Sequence, residues 1–418
     1  MSADTAAVVV VGAGHAGAEA ATAVRQAGHV GRIVLVGDEP RLPYHRPPLS
    51  KAYLAGTTTL EALLLKQQTV YDKAEVELRT GVKVERIERE NKRMVLSDRT
   101  TLAYSRAILA TGSRPRPLLA VGLDAGNIPS NLCYLRTTDD VERMRGRFVE
   151  GARLLIIGAG YIGLEVAAVA RKAGLHVTVL EAQPRVLARV AAPSVSAFFE
   201  SLHREAGVDI RVGANIESIT LNAAGDVEAV ITNDGTQIEA DLVLAGIGVI
   251  PNVELASGAG LVVDNGIVVN QFTQSSDPDI LAIGDCSNHP NPIYGRRIRL
   301  ESVPNALEQA RIAAAFICGK PQAYASVPWF WSDQYDVKLQ MAGLSQGYDL
   351  AITRGSPASK SFTTFYLQNG IVISADCVNR APEFMLVKKL VASRRPIDPA
   401  LLADESVTLK SLAEAAAV

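Results

Sequence analysis

The fold is decided by one stretch, Val8-Val9-Val10-Val11-Gly12-Ala13-Gly14-His15-Ala16-Gly17. Its four β-branched residues predict a buried strand, and the alanine-rich segment that follows predicts a helix. In such a Gly-x-Gly-x-x-Gly turn, the glycines permit the tight turn, the approach of a pyrophosphate and the close packing of helix on strand. Asp38 lies 21 residues after Gly17 (38 − 17), where a carboxylate can bind a ribose hydroxyl. We therefore predict a dinucleotide site rather than an ordinary strand–helix turn.

A second fingerprint of the same kind occurs later in the chain. The apolar run 154–157 leads into Gly158-Ala159-Gly160-Tyr161-Ile162-Gly163. The next predicted strand ends at Glu181, 18 residues after Gly163 (181 − 163). Because both fingerprints are complete, we predict two dinucleotide sites in one chain.

The acid of the second fingerprint indicates which nicotinamide cofactor is used. The Glu181 carboxylate would accept hydrogen bonds from both hydroxyls of an adenosine ribose and would repel a 2′-phosphate, which favours NADH over NADPH. Arg185 and Arg189 follow closely. Since arginine binds phosphate well, the use of NADPH stays open.

Composition limits the remaining possibilities. The 418 residues with 48% hydrophobic content predict two or three domains with large cores. The formal net charge of −2 argues against a nucleic-acid partner. Six histidines and four cysteines form no metal-ligand pattern, so we expect no metal site and a reducing compartment. The sequence shows no signal peptide and no membrane-spanning run of about 18 apolar residues, so we expect a cytoplasmic protein without a membrane partner.

The domain organisation follows from two proline-containing segments, 113–117 and 249–252. We interpret them as crossovers, so that the second dinucleotide domain is inserted into the first. From about residue 326 the alternating apolar pattern and a later helix are typical of an α+β domain. We predict an α/β fold with two Rossmann-like dinucleotide-binding domains and a C-terminal α+β domain. The predicted boundaries are 1–115 with 250–325, 116–249, and 326–418.

Three further segments have both a functional and a structural interpretation. Pro47 and Pro48 form a rigid segment that either aims Lys51 at a ligand or makes a surface turn. Asp285 follows an apolar run, and in a chain with two nucleotide sites we favour contact with a ribityl hydroxyl over a turn cap. The aromatic segment 327–334, which includes Trp329, belongs either to a core or to a lid beside a flavin.

Together these features resemble the NADH-dependent ferredoxin reductases, which are FAD proteins of bacterial cytochrome P450 and ring-hydroxylating dioxygenase systems. The resemblance spans essentially the whole chain. Besides the two glycine loops it rests on Arg46–Lys51, Ala110–Gly112, Ala282–Cys286, Glu301–Ala306 and Val327–Gln334. It implies a glutathione-reductase-like fold in which an FAD domain is split around an NAD domain.

The resemblance also implies site residues and a reaction. NADH would give a hydride to FAD, which would pass single electrons to a [2Fe–2S] ferredoxin. Lys51 and Glu165 would form an ion pair near the reacting end of the flavin. The residues implied for FAD are Gly12, Gly14, Ala16, Gly17, Asp38, Lys51, Val84, Arg136, Asp285 and Val303, to which the lid interpretation adds Trp329. Those implied for NADH are Gly158, Gly160, Ile162, Gly163 and Glu181.

Basic residues are the candidates for docking the partner, because ferredoxins are usually acidic. Each of them is otherwise an ordinary solvated side chain. The candidates are Arg296, Arg297, Arg299, Arg311, Lys388, Lys389, Arg394 and Arg395.

Several alternatives share the fold. Dithiol reductases need a cysteine pair near the flavin, and related peroxidases need one cysteine, but 46–51 contains none. Cys286 follows Asp285 without an evident partner, so its role stays open. A reductase of rubredoxin, the reductase component of another oxygenase or nitrite reductase system, and a non-enzymatic flavin-bearing signalling protein are the remaining alternatives.

Overall fold

The structure is a computed structural model that describes residues 6–124 and 127–415. Its chain divides into two compact units. The first comprises the residues up to His45, Leu60–Arg114 and Ile250–Trp329, and the second comprises Arg46–Thr59, Pro115–Val249 and the chain from Phe330 onward. The predicted division into FAD, NAD and C-terminal domains is a finer one and remains a prediction. Among the described residues, no helix has the length and apolar character needed to cross a membrane.

The first unit is built on a seven-stranded sheet whose central strand is the valine run at the N-terminus. This strand is buried along its whole length, which explains its uninterrupted apolar sequence. Five strands pair in parallel and the edge continues as an antiparallel meander. In spatial order the strands are Val76–Thr80, Ile33–Gly37, Ala7–Val11, Thr101–Leu109, Arg93–Leu96 and Val84–Glu88, with Ile280–Ala282 also paired to Thr101–Leu109.

Two helices of the first unit, His15–Gln26 and Val303–Ile317, share one buried cluster rich in alanine. The first helix begins at His15, inside the glycine fingerprint, with Gly14 at its N-cap. The unit's other helices are Leu60–Leu63, Gln68–Lys73 and Glu254–Gly258, with a 3₁₀ turn at Gly284–Cys286. A small sheet contains Ile267–Val268, Ser287–Asn291 and Arg296–Ile298.

The second unit contains another parallel sheet and a helix that follows the second glycine loop. The order of the five strands is Asp209–Val212, His176–Glu181, Arg153–Ile157, Leu242–Ala245 and Leu132–Cys133. The helices are Thr138–Arg145, Tyr161–Lys172 and Pro193–Glu205, with a 3₁₀ turn at Pro47–Ser50. An antiparallel sheet of Ile216–Leu221, Val227–Thr232 and Gln237–Glu239 completes this part. Two of the points at which the chain passes between units lie in the short strands Ser113–Pro115 and Val249–Pro251. The others follow His45, Thr59 and Trp329.

The C-terminal part of the second unit combines a five-stranded sheet with helices. In order, the strands are Trp329–Gln334, Val337–Gly343, Ile371–Val378, Ser361–Gln368 and Leu350–Ser356. The last four pair antiparallel. The helices are Ala381–Ser393, Pro399–Ala403 and Leu409–Ala415, with a 3₁₀ turn at Pro357–Ser359. The α+β character expected from the sequence is present here.

Candidate functional site

The first glycine loop has two glycines fixed by packing and one that faces open space. Gly12 has φ +107°, and a Cβ there would lie 2.2 Å from the Ala110 carbonyl oxygen. A Cβ at Gly17 would lie 1.8 Å from the Gly12 oxygen. At Gly14, by contrast, a Cβ would meet no described atom within 4 Å. This open space at a helix N-terminus fits a pyrophosphate, because the missing side chain leaves the backbone N–H groups accessible.

Asp285 directly follows a glycine that packs against the helix of this loop. It follows the strand Ile280–Ala282 in a 3₁₀ turn. A Cβ at the preceding Gly284 would lie 3.1 Å from Cβ of Ala16, in the helix that follows the loop. The Asp285 carboxylate accepts a hydrogen bond from Ser113 Oγ at 2.8 Å. Its further lone pairs can accept hydroxyl donors of a cofactor.

The other predicted FAD residues of the first unit lie in different surroundings. Asp38 is exposed just after the strand Ile33–Gly37. Val303 begins the helix Val303–Ile317 behind its Ser302 N-cap and is half-buried, as is Trp329. Val84 is only 5% exposed and belongs to the apolar core, so packing alone accounts for it. Contact of these residues with FAD stays a prediction.

The second glycine loop repeats the geometry of the first. Gly158 has φ +103°, and a Cβ there would lie 2.5 Å from the Gly246 oxygen. A Cβ at Gly163 would lie 2.2 Å from the Gly158 oxygen, whereas one at Gly160 would meet no described atom within 4 Å. Ile162, in the first turn of the following helix, is 43% exposed. The residues present thus fit a second dinucleotide.

Glu181 is held against the second loop by backbone donors. Its carboxylate accepts N–H bonds from Ala159 and Gln183, both at 2.8 Å. A carboxylate offers about four acceptor positions, so ribose hydroxyls can still bind. The Arg185 guanidinium donates to the carbonyls of Ala188 at 2.9 Å and Ala191 at 2.6 Å. The Arg185 guanidinium is therefore already hydrogen-bonded to carbonyls of its own loop. This leaves it poorly placed to bind a 2′-phosphate.

The predicted ion pair between Lys51 and Glu165 is present. Lys51 Nζ lies 2.7 Å from Glu165 Oε2. Lys51 directly follows the 3₁₀ turn Pro47–Ser50, and the two prolines at the start of that turn fix its backbone. Glu165 is in the helix Tyr161–Lys172 and only 4% exposed. The proline segment therefore directs Lys51 to the carboxylate of Glu165, while contact of Lys51 with a bound ligand stays a prediction.

Two serine hydroxyls complete the surroundings of Glu165. Ser50 Oγ donates to Oε2 at 2.5 Å, and Ser332 Oγ donates to Oε1 at 2.6 Å. With Lys51 they give the buried carboxylate three donors, which offsets its desolvation. Neither serine was assigned a part in the site from the sequence. Nothing in the local pattern around Ser332 signals a bond to a residue so distant in the chain.

A cavity of about 590 Å³ in the second unit borders this ion pair. Leu54, Phe148 and Val169 are among its apolar lining residues. Its charged lining residues are Lys51, Arg145, Glu165, Lys172 and Asp333. A side-chain exposure of 21% for Lys51 agrees with this opening. The pair is therefore reachable from solvent on the lysine side.

Arg136 contributes its backbone to the same unit. Its carbonyl accepts from Arg46 Nη1 at 2.6 Å, and its N–H donates to Asp140 Oδ2 at 3.0 Å. Arg136 thereby anchors the proline segment to the start of the helix Thr138–Arg145. Its contact with the flavin stays a prediction.

The docking candidates differ in how free their charges are. Arg311 is 65% exposed and pairs with Glu19 at 3.0 Å. The Arg297 guanidinium donates to the Val269 carbonyl at 2.7 Å and to Asn288, so it serves its own sheet. Arg299 pairs with Glu301 at 2.7 Å. The remaining candidates that are exposed are Arg296, Lys389, Arg394 and Arg395, while Lys388 is half-buried.

The four cysteines, all within the described residues, form no disulfide bond. All four are free thiols. Cys286 is fully buried, and burial raises the pKa of its thiol, which makes it unreactive. In the described ranges, no group of three or more His, Cys, Asp or Glu side chains could hold a metal ion. Thiol chemistry at Cys286 is therefore disfavoured by its surroundings.

Two glycine loops on two parallel sheets, with an α+β part at the C-terminus, define a two-dinucleotide oxidoreductase of the flavoprotein type. Comparison with known families agrees. The chain belongs to the pyridine nucleotide-disulphide oxidoreductase family, whose profile matches residues 6–310. A reductase C-terminal profile matches residues 329–413.

Similarity to individual proteins indicates a narrower class within this oxidoreductase family. Putidaredoxin reductase CamA of Pseudomonas putida is 52% identical over 410 residues, covering 98% of this chain and 97% of that protein. Rhodocoxin reductase of Rhodococcus erythropolis is 45% identical, covering 96% and 93%. The reductase in the covalent putidaredoxin reductase–putidaredoxin complex superposes with a TM-score of 0.95 at 51% identity, with full coverage of both chains.

These comparisons confirm the predicted fold class and the resemblance to ferredoxin reductases. They also confirm the enzyme class, an NADH:ferredoxin oxidoreductase, and the cofactor pair of flavin and pyridine nucleotide. The roles of the individual site residues go beyond what these similarities establish.

Proposed function

We propose that this protein transfers electrons from NADH, through FAD, to an acidic [2Fe–2S] ferredoxin that supplies a cytochrome P450 or another oxygenase. The observation that carries this proposal is the Lys51–Glu165 pair in a chain that also has two open glycine loops. FAD, when bound, accepts a hydride and releases electrons singly, which an iron–sulfur partner requires. Putidaredoxin reductase, a relative at 52% identity, carries the name of its partner, which supports a similar partner for this chain.

The glycine loops would bind the two pyrophosphates through backbone N–H groups and helix N-termini. Asp38 and Glu181 would accept the hydroxyls of the two adenosine riboses. Asp285 would accept a ribityl hydroxyl. The further contacts assigned to FAD are those of Ala16, Val84, Arg136, Val303 and Trp329, and the further contact assigned to NADH is that of Ile162.

Lys51 and Glu165 would position the reacting ends of the cofactors. Hydride transfer requires close alignment and no general acid or base. Glu165 fixes the Lys51 ammonium, and the proline segment fixes its backbone. The ammonium would then supply a fixed positive charge where negative charge develops.

The partner would dock through basic side chains whose charges are exposed. Arg311 and Arg296 in the first unit meet this condition, as does Lys389 in the second. Arg297 and Lys388, which also belong to the predicted set, are less available. The four free cysteines support a location in the reducing cytoplasm.

An anaerobic titration with NADH tests the proposal. We expect the flavin absorbance of the purified protein to bleach at about one NADH per chain. Addition of an oxidised [2Fe–2S] ferredoxin should then restore the flavin spectrum, and a rubredoxin in a parallel cell should do so more slowly. A flavin that NADH does not reduce would overturn the reductase function. Faster reoxidation by rubredoxin would replace the ferredoxin partner.

A further inference from the structure

The Glu165 carboxylate ends a largely buried series of hydrogen bonds that begins at the Tyr335 hydroxyl. Ser332 Oγ donates to Glu165 Oε1 at 2.6 Å and accepts from Gln334 Nε2 at 3.2 Å. Gln334 Oε1 lies 2.8 Å from His203 Nε2, and His203 Nδ1 lies 3.3 Å from the Tyr335 hydroxyl. All of these residues belong to the second unit.

The chemistry of the groups gives this chain a single direction. An amide oxygen only accepts, so His203 Nε2 must carry the proton and donate to Gln334. The other ring nitrogen then accepts from the Tyr335 hydroxyl. Burial lowers the pKa of His203 to about 4, which keeps the imidazole in the neutral form that this arrangement needs. Every donor therefore points toward the negative charge of Glu165, and such aligned bonds strengthen one another.

Burial makes this arrangement structurally demanding. Ser332 and His203 are 0% exposed and Gln334 is 1% exposed. A buried polar group without a partner destabilises the fold, so this series of hydrogen bonds is stable only when every member has its partner. Its last acceptor is the carboxylate that holds Lys51.

We propose that Ser332 is a positioning residue for the electron-transfer site, because it fixes the Glu165 carboxylate, and through it Lys51, from the C-terminal sheet. This inference rests on the proposed function. Gln334 and His203 act in turn by fixing the hydroxyl of Ser332. The C-terminal sheet thus contributes directly to the geometry of the ion pair, in addition to forming its own fold.

The test compares Ser332→Ala with Ser374→Ala in the FAD-loaded protein. Ser374 is a buried serine of the same sheet, 3% exposed, and serves as the matched control. Ser332→Ala should slow flavin reduction by NADH about tenfold or more, because it removes a hydrogen bond to a charged group and such bonds contribute strongly to the position of that group. We expect the rate of flavin reduction in Ser374→Ala to stay within about twofold of that of the unmodified protein. Ser374 is not a member of the hydrogen-bond series, so its loss should leave the ion pair unchanged.

Two further measurements separate positioning from general damage. In a Glu165→Gln background, Ser332→Ala should change the reduction rate by less than about twofold, because residues that act through one another are not additive. The ¹⁵N NMR signals of the His203 ring should report an Nε2–H tautomer in the unmodified protein and shift in Ser332→Ala but not in Ser374→Ala.

The outcomes distinguish this inference from the proposed function. If NADH does not reduce the flavin of the unmodified protein, the proposed function fails. If it does, and Ser332→Ala is reduced at the normal rate with unchanged His203 signals, the positioning role of Ser332 is wrong. Equal effects of Ser332→Ala with and without Glu165→Gln would also overturn it, since Ser332 would then act elsewhere.

Discussion

Lys51 Nζ lies 2.7 Å from Glu165 Oε2, and this ion pair joins a rigid proline-bearing turn to the helix of the second glycine loop. The exposures of the two side chains differ strongly, at 21% for Lys51 and 4% for Glu165. The Glu165 carboxylate is therefore less solvated than the Lys51 ammonium, and its charge depends more on the ion pair for stabilisation. Removing either charge alone should have a different effect from removing both.

We expect Lys51→Met to lower the free energy of unfolding by about 2–3 kcal/mol, because it leaves the Glu165 charge buried without a cationic partner. Partial exposure of Lys51 keeps this below the value for a fully buried pair. The double variant Lys51→Met with Glu165→Gln should recover part of the loss. Urea unfolding of the three proteins checks this. A double variant less stable than Lys51→Met would contradict it.

The glycines that face open space should be replaceable without loss of fold but not without loss of ligand. Gly14→Ala should fold normally and bind FAD about tenfold more weakly, equivalent to about 1.4 kcal/mol, because its methyl group enters the space assigned to the pyrophosphate. Gly160→Ala should keep FAD and raise the KM for NADH instead. Flavin absorbance per chain and steady-state kinetics measure the two effects.

Gly258→Ala provides the control for these variants. A Cβ at Gly258 also meets no described atom within 4 Å, but this glycine ends the short helix Glu254–Gly258 and belongs to neither loop. It should retain normal flavin content and a normal KM for NADH. A Gly14→Ala protein with full flavin content would show that the pyrophosphate lies elsewhere.

Asp376 should make stability depend on pH. Burial raises the pKa of this carboxyl to about 7 from 3.8, while a hydrogen bond from Tyr366 acts in the lowering direction. The folded state thus keeps a proton that the unfolded state loses above about pH 4. Stability should fall as pH rises from about 4 to 7, by up to about 4 kcal/mol, and then level off.

Asp376→Asn should remove this dependence, because an amide does not titrate. The variant should gain stability relative to the unmodified protein at pH 8 and lose that advantage at pH 5. Urea midpoints at both pH values measure the difference between the two proteins, so that other titrating groups cancel. The same pH dependence in both proteins would show that Asp376 is ionised in the folded state throughout.

Arg311 should affect the partner and not the pyridine nucleotide. We expect Arg311→Glu to raise the KM for a [2Fe–2S] ferredoxin about fivefold or more at low salt, with less effect at high salt. Flavin reduction by NADH should be unchanged. Arg86→Glu is the matched control, because Arg86 is 64% exposed and also pairs with a glutamate. Equal effects of the two variants would indicate a general charge effect rather than docking.

Much of the architecture could be predicted because its signals are local. The four valines before Gly12 specify a buried parallel strand, and the glycine spacing specifies the turn that follows. A side chain at Gly17 would meet the backbone of its own loop at 1.8 Å, so neighbours in sequence enforce this residue. The same reasoning predicted the second loop and its acid, Glu181.

Val84 fits two interpretations, packing in the core and the predicted contact with FAD. Its position in the apolar core gives a packing reason for an apolar residue that needs no cofactor. Arg297 likewise has a structural role, because its guanidinium donates a hydrogen bond to the backbone carbonyl of Val269. The surroundings of Val84 and Arg297 could not be predicted from residue type, because they depend on which segments of the chain pack nearby.

The sequence by itself determined the two dinucleotide loops, the family and the reaction class, because these follow from short motifs whose residues are close together in the sequence. The tertiary structure alone decided that Glu165 accepts hydrogen bonds from the hydroxyls of Ser50 and Ser332, and that Gln334 and His203 fix the hydroxyl of Ser332. Those residues are ordinary polar side chains in their own segments. Only folding removes water from around them, and in that dry interior each donor must find its acceptor.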